Sequence, residues 1–161
     1  MTSLIVTILL WVTALSSGVM AGVYFAFSAF VMRAFGTLEP AQAVTAMNAI
    51  NITILRSLFM PLFFGSSIIS ALLVVAGVMS WGEAGAGMAL LAGAIYFFGM
   101  FACTVLFNVP LNNALGSLAP NSTDDFQLWT HYLQTWTNWN HLRTISSFLT
   151  CSLCIWLLSS H

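Results

Sequence analysis

Charge is what this sequence has least of. Only 4% of its 161 residues are charged, against about 25% in an ordinary soluble domain. Arg33, Glu39, Arg56, Glu83, Asp124, Asp125 and Arg143 make up the whole set, too few to cover a soluble surface. A net charge of −1 without a basic cluster leaves no footprint for nucleic acid or for anionic headgroups. Cys103, Cys151 and Cys154 cannot build a disulfide framework. There is no internal repeat and no low-complexity tract. No basic segment precedes the first apolar run, which is far longer than a signal-peptide core, so it reads as a span and not a cleaved leader. Glycosylation triplets at Asn51 and Asn121 matter only in a eukaryotic secretory context.

What is present is 60% hydrophobic. The gaps between charges are long enough to cross a bilayer, which takes roughly 20 apolar residues per helix. Four spans are expected, at 4–31, 57–81, 88–109 and 134–158. The chain reads as all-α: one integral membrane domain over residues 1–161, an up-down-up-down bundle of four transmembrane helices. A short interfacial helix is expected between the first two spans, starting at Thr37 or Glu39–Pro40 and running into the second. SWGEAGAG (80–87) reads as a tight glycine turn. The last helix should begin near Asp124, where the paired acids favour a helix N-terminus. Ala14, Gly18, Gly22 and Ala26 recur every four residues and predict a close-packing face. Arg33 in the first connection sets the orientation, with the first and third connections on the cytoplasmic side of the cell membrane.

Polar residues in a span normally face the bundle interior or a wet cavity. At helical spacing each span carries one such stripe. Thr13, Ser17, Met20, Tyr24 and Ser28 form the first; Arg56, Phe59, Phe63, Ser66 and Ser70 the second. Phe97, Phe101, Thr104, Asn108 and Asn112 form the third. The fourth runs from Trp129 and Tyr132 through Trp136, Trp139, Asn140 and Arg143 to Ser147, Thr150 and Cys154. Antiparallel connectivity gathers Tyr24, Ser28, Asn51, Arg56, Asn108, Asn112, Trp136, Asn140, His141 and Arg143 in one half of the bundle. Pro61 and Pro110 would bend its walls. Two arginines with few acids near them suit an anionic or enolate-like ligand. Arg56 is expected to reach this pocket and Arg33 to snorkel outward. His141 lies about 160° from Arg143 on an ideal helix, so a structural role and a catalytic one stay equally open.

FSAFVM (27–32), AMNAIN (46–51), FMPLFFG (59–65), FNVPLNNAL (107–115) and WTNWNHLRTISS (136–147) together resemble the anthrone oxygenase-like integral membrane family, over nearly the whole chain. The chain departs from that pattern at Arg33 and Arg56, where proline and asparagine are expected. The resemblance implies four membrane helices and an oxygenase that converts anthrones to anthraquinones without a recognisable cofactor motif. It implies a site at Asn108, Asn112, Trp139, Asn140, His141 and Arg143, with Asn51 added. His141 would be the base and Arg143, with Arg56, the oxyanion partner. Asn108, Asn112 and Asn140 would be carbonyl donors, and Trp136 and Trp139 stacking walls, with Tyr24 in the pocket. The implied partners are an apolar aromatic small molecule, O2 and the lipid bilayer.

A non-catalytic quinone or lipid binding or transport protein is the alternative served by the same stripe. Cys151 and Cys154 alone would support a thiol oxidoreductase, and small polarisable packing residues are the simpler reading. No cofactor is expected from the sequence; haem and quinone stay open, although His131, His141 and His161 all fall on one helix or its tail. No acid near the histidines supports a metal site. Homo-oligomerisation is left open.

Overall fold

The computed structural model describes residues 4–117 and 125–160. It is helical throughout. Helix α1 spans Leu4–Phe35, α2 Pro40–Ile54, α3 Phe59–Met79, α4 Ala86–Gly116 and α5 Asp125–Ser159. All but α2 are long and apolar enough to cross a membrane. Their outward faces carry Leu4, Ile8, Trp11, Leu15, Ile68, Leu72, Phe148 and Ile155, all exposed. A soluble monomer does not display apolar surface on this scale, so the chain is a multi-pass membrane protein. Asn121, Asp124 and His161 lie outside the described residues.

Local chemistry sets the breaks. Glu39 is extended (φ −59°, ψ 137°), as a residue before proline tends to be, and Pro40 opens α2. Contrary to expectation, α2 does not run into the second span. Pro61 can donate no hydrogen bond, and its ring would clash with the carbonyl of residue 57 in a continuous helix. The chain therefore turns at 55–58 and restarts at Phe59, which puts Pro61 in the first turn of α3, where no donor is required. Gly82 and Gly85 hold positive φ (96° and 84°) in the α3–α4 turn, as the glycine-rich sequence suggests.

Three buried clusters stack along the bundle. At one end, Val6, Leu10 and Ala14 of α1 meet Leu73 of α3, Ala89 and Ala92 of α4, and Cys154 and Leu157 of α5. The starts of α1 and α4 thus share a core with the ends of α3 and α5. Met20, Tyr24, Phe63, Tyr96 and Met100 fill the middle. At the far end Met32, Ala43, Met47, Leu115, Trp129, Tyr132 and Trp136 pack together, so α2 is docked on the bundle.

The helices carry π turns at Phe27–Val31 in α1 and at Phe97–Ala102 and Thr104–Asn108 in α4. The last ends just before Pro110, which cannot complete an ordinary ladder there. Each π turn holds an extra residue, so the face presented by α4 drifts from the one a uniform helix would present.

The small-residue stripe of α1 is only half a packing face. At Gly18 an added Cβ would lie 3.3 Å from Cys151 Sγ, but Gly22 is exposed with open space beside it. The tightest approaches belong to Gly77, Gly93 and Gly99. At Gly93 a Cβ would sit 2.6 Å from the Ser70 carbonyl oxygen and 2.8 Å from Val74 Cγ2; at Gly99 it would overlap the Ser146 side chain. Gly93→Ala should therefore destabilise the protein by about 1–3 kcal/mol, the cost of overpacking, whereas Gly22→Ala should be neutral. Thermal unfolding in detergent checks the pair.

Candidate ligand-binding site

Where α2 docks, the bundle forms an open cavity of about 780 Å³, a size suited to a drug-sized ligand. Every helix contributes. Tyr24 and Phe27 come from α1, Met47, Asn48, Asn51 and Ile54 from α2, Phe59 and Phe63 from α3, Thr104 and Asn112 from α4, and Trp136 and Arg143 from α5. The walls are apolar, built of aliphatic and aromatic side chains together. Phe59 and Phe63 stack at 5.8 Å, Phe59 meets Tyr24 edge-on at 6.3 Å, and Phe27 lies against Trp136 at 5.6 Å.

Arg143 is 4% exposed. Its Nη2 donates to Asn140 Oδ1 at 2.7 Å and its Nη1 to Thr104 Oγ1 at 3.4 Å. Its Cζ lies 4.4 Å from the Tyr24 ring centroid and 4.9 Å from that of Trp136. All four partners are neutral, and Nε has none. A buried cation is normally paired with a carboxylate; this one is held by amide, hydroxyl and ring faces.

Asn140 fixes that geometry. Its Nδ2 donates to the Tyr24 carbonyl and to Ser28 Oγ, both at 2.7 Å, which leaves Oδ1 to accept from Arg143. Asn112 is fixed as firmly: its Oδ1 accepts from Trp136 Nε1 at 2.9 Å and from the Tyr132 hydroxyl at 2.8 Å.

The cavity gathers Tyr24, Asn51, Asn112, Trp136 and Arg143 from among the expected site residues. Asn108 does not line it. It closes the second π turn of α4 and donates to the Trp136 carbonyl at 3.2 Å, tying α4 to α5. Asn140 spends its donors on α1. Trp139 stacks outward on Phe107 at 3.8 Å. The α5 stripe is wide enough that its edges serve neighbouring helices and only its centre, Trp136 and Arg143, faces the cavity.

His141 is exposed, with Nδ1 2.9 Å from Ser28 Oγ, at the α1–α5 seam. The helix does not bend to bring it in, so the base role is withdrawn from it. Arg56 is also misplaced by the sequence reading: the Pro61 break leaves it exposed in the 55–58 turn, outside the cavity lining. Arg33 is exposed, as expected.

Apart from Asn51, the α2 wall is what the sequence reading missed. Met47, Ile50, Asn51 and Ile54 follow helical i, i+3, i+4, i+7 spacing and all line the cavity; that period was the available signal. Among the described residues no group of three or more His, Cys, Asp or Glu side chains gathers. Cys151 and Cys154 lie towards the opposite end of α5 from the Trp136 cluster.

This architecture defines a helical multi-pass membrane protein with an apolar, partly aromatic cavity that reaches a buried arginine. The anthrone oxygenase family model matches residues 56–153, more than half of the chain, and the protein belongs to that family. Comparison with curated proteins returns no match, nor does comparison with solved structures.

Two substitutions test the network. Asn140→Leu removes the Oδ1 acceptor of Arg143 and the donor to the Tyr24 carbonyl and Ser28 Oγ; it should cost about 1–3 kcal/mol, seen as earlier melting in detergent. His141→Ala, outside the cavity, should leave ligand affinity within about threefold of the parent, the scale of an ordinary exposed substitution.

Proposed function

We propose that this protein is a membrane-embedded oxygenase that oxidises an apolar hydroxyaromatic, anthrone- or hydroquinone-like, with O2. The observation carrying this reading is Arg143, a guanidinium buried at an apolar, partly aromatic cavity without a carboxylate partner and with a free Nε. An enolate supplies the missing anion, and the ring walls suit its planar body.

The chemistry follows from the bound anion. The ring-activated CH2 of an anthrone loses a proton, and its charge delocalises onto the oxygen held by Arg143. This electron-rich carbanion passes electrons to O2 and forms a C–O bond. Loss of water then leaves a carbonyl, so anthrone and O2 give anthraquinone and water. The substrate supplies all four electrons; the reaction calls for no external reductant and no metal. With His141 outside the cavity, Arg143 makes the CH2 more acidic by holding the anion, and the proton is accepted by water at the polar end near Asn113 and Ser117, which line the cavity and are exposed. Trp136, Phe59 and Phe63 orient the rings and exclude water from the reactive carbon.

The second reading is a non-catalytic quinone- or lipid-binding protein. It is favoured by one observation: no histidine, aspartate or glutamate lines the cavity among the described residues. Saturable binding of anthrone under air, without O2 uptake or quinone formation, would establish it over the oxygenase.

Arg143→Met deletes the charge while keeping length and apolarity. Since the ligand-free protein carries an unpaired buried cation, the variant should melt no earlier than the parent, while O2 consumption with anthrone falls at least about 100-fold, the scale of losing one oxyanion donor. A variant that melts much earlier yet keeps turnover would make Arg143 a scaffold residue and leave the mechanism without its oxyanion partner; a parent that consumes no O2 with anthrone would overturn the oxygenase reading.

A further inference from the structure

The cavity wall between α2 and α4 is a slit graded along its length. On α4, Val105, Val109, Asn113 and Ser117 recur every four residues, and all of them line the cavity and are exposed. They border it over about 18 Å at ordinary helical rise. On the other side stand Asn48, Ile52 and Leu55, from α2 and the turn after it. Both borders change character together. Asn48, Asn113 and Ser117 mark a polar end; Ile52, Leu55, Val105 and Val109 mark an apolar one.

The two ends are closed differently. At the polar end α2 is tied to α4: Asn48 Nδ2 donates to the Leu115 carbonyl at 3.4 Å, and Ala43 and Met47 bury against Leu115. At the apolar end no such tie forms among the described residues. There α2 packs on α5 and on Val109–Gly116 of α4, without comparable packing on the π turn Thr104–Asn108. Pro61 acts on the other border, since it ends α2 early and leaves the 55–58 turn beside the gap. The outer surface around this end is apolar as well, with Leu58 and Leu106 exposed next to it. Arg56, exposed in the same turn, can snorkel to the headgroups. The opening therefore lies in the hydrocarbon just beneath them, where a rim of Ile, Leu and Val meets acyl chains that are equally apolar.

We propose that the apolar end of this slit is the ligand's portal. Molecules pass between the bilayer and the cavity over Ile52, Leu55, Val105 and Val109, while the tied polar end serves water. A charge is costly at this depth, so the portal admits neutral molecules. A carbon acid such as anthrone arrives protonated and ionises only inside, and O2, itself apolar, arrives by the same opening. The proposal rests on the cavity being a ligand site and not on the reaction done there.

The test follows anthrone association and dissociation by stopped-flow fluorescence in proteoliposomes under argon. Val105→Trp and Ile52→Trp fill the opening. Both rates should fall together by about tenfold or more, with Kd within about threefold of the parent. Val105→Ala widens the opening and should raise both rates. Leu106→Trp, which adds the same bulk to the exposed surface outside the lining, should change neither. A phospholipid with a diazirine on its acyl chain gives a readout without anthrone: it should label Phe63 inside the cavity of the parent, and much less in Val105→Trp. Unchanged rates in the filled variants, slowing by Ser117→Trp in their place, a weaker Kd at an unchanged association rate, or an unlabelled Phe63 would each overturn the portal. A parent that takes up no anthrone sinks the ligand reading of the cavity, and the photolabel then decides the portal by itself. O2 uptake is measured separately on the parent. Exchange through the rim without uptake sinks the oxygenase alone; uptake with unchanged rates in the filled variants sinks the portal alone.

Discussion

The charge of one side chain organises the functional half of this bundle. A guanidinium taken out of water with no anion beside it is among the costliest groups a helix bundle can hold. The surrounding structure answers that cost with neutral polar groups. Asn140 turns its oxygen to Arg143 because both of its N–H bonds are already given to α1. Tyr24 and Trp136 offer ring faces. Thr104 presents its hydroxyl from a π turn. Together they hold the cation in place without neutralising it, and the cavity beside it gains a standing positive potential.

The rest of the molecule can be read as support for that arrangement. The cluster at the end away from the site is small and tight, with Gly93 and Gly77 drawing α3 and α4 together. Many buried hydroxyls there are satisfied within their own helices, as Ser17 is by the Thr13 carbonyl and Ser70 by the Ser67 carbonyl. The site end is wider, floored by large aromatics and closed by α2. Rigidity at one end and space at the other are the ordinary division between scaffold and site.

The four spans were legible in the sequence because bilayer thickness sets a length that few other structures demand. Arg143, Asn112, Trp136, Tyr24 and Asn51 were legible as a site because an intramembrane polar stripe has few places to face. The errors have local causes. Arg56 was placed inside on the assumption of a continuous helix, which Pro61 forbids. Asn108 was placed on the cavity by a uniform rotation that two π turns in α4 interrupt. Asn140 and Trp139 do lie on the α5 stripe, but a stripe has edges, and those edges belong to α1 and to Phe107. The awkward angle of His141 was correct as calculated; the family resemblance, not the geometry, had argued for bringing it inside.

Several residues of the cavity wall have a second face. Ile52, Leu55, Val105 and Val109 line the cavity and are also exposed on the apolar surface, at 63%, 64%, 45% and 40%. Between α2 and α4, the interior of the site and the lipid-facing surface are therefore one continuous apolar environment. For a ligand of low solubility, the reservoir is then the hydrocarbon phase and not water. Its apparent affinity is governed by mole fraction in the bilayer, where partitioning has already removed most of the hydration of its rings. What remains for the cavity to supply is discrimination, through the oxygen contacts, among molecules that the membrane concentrates indifferently.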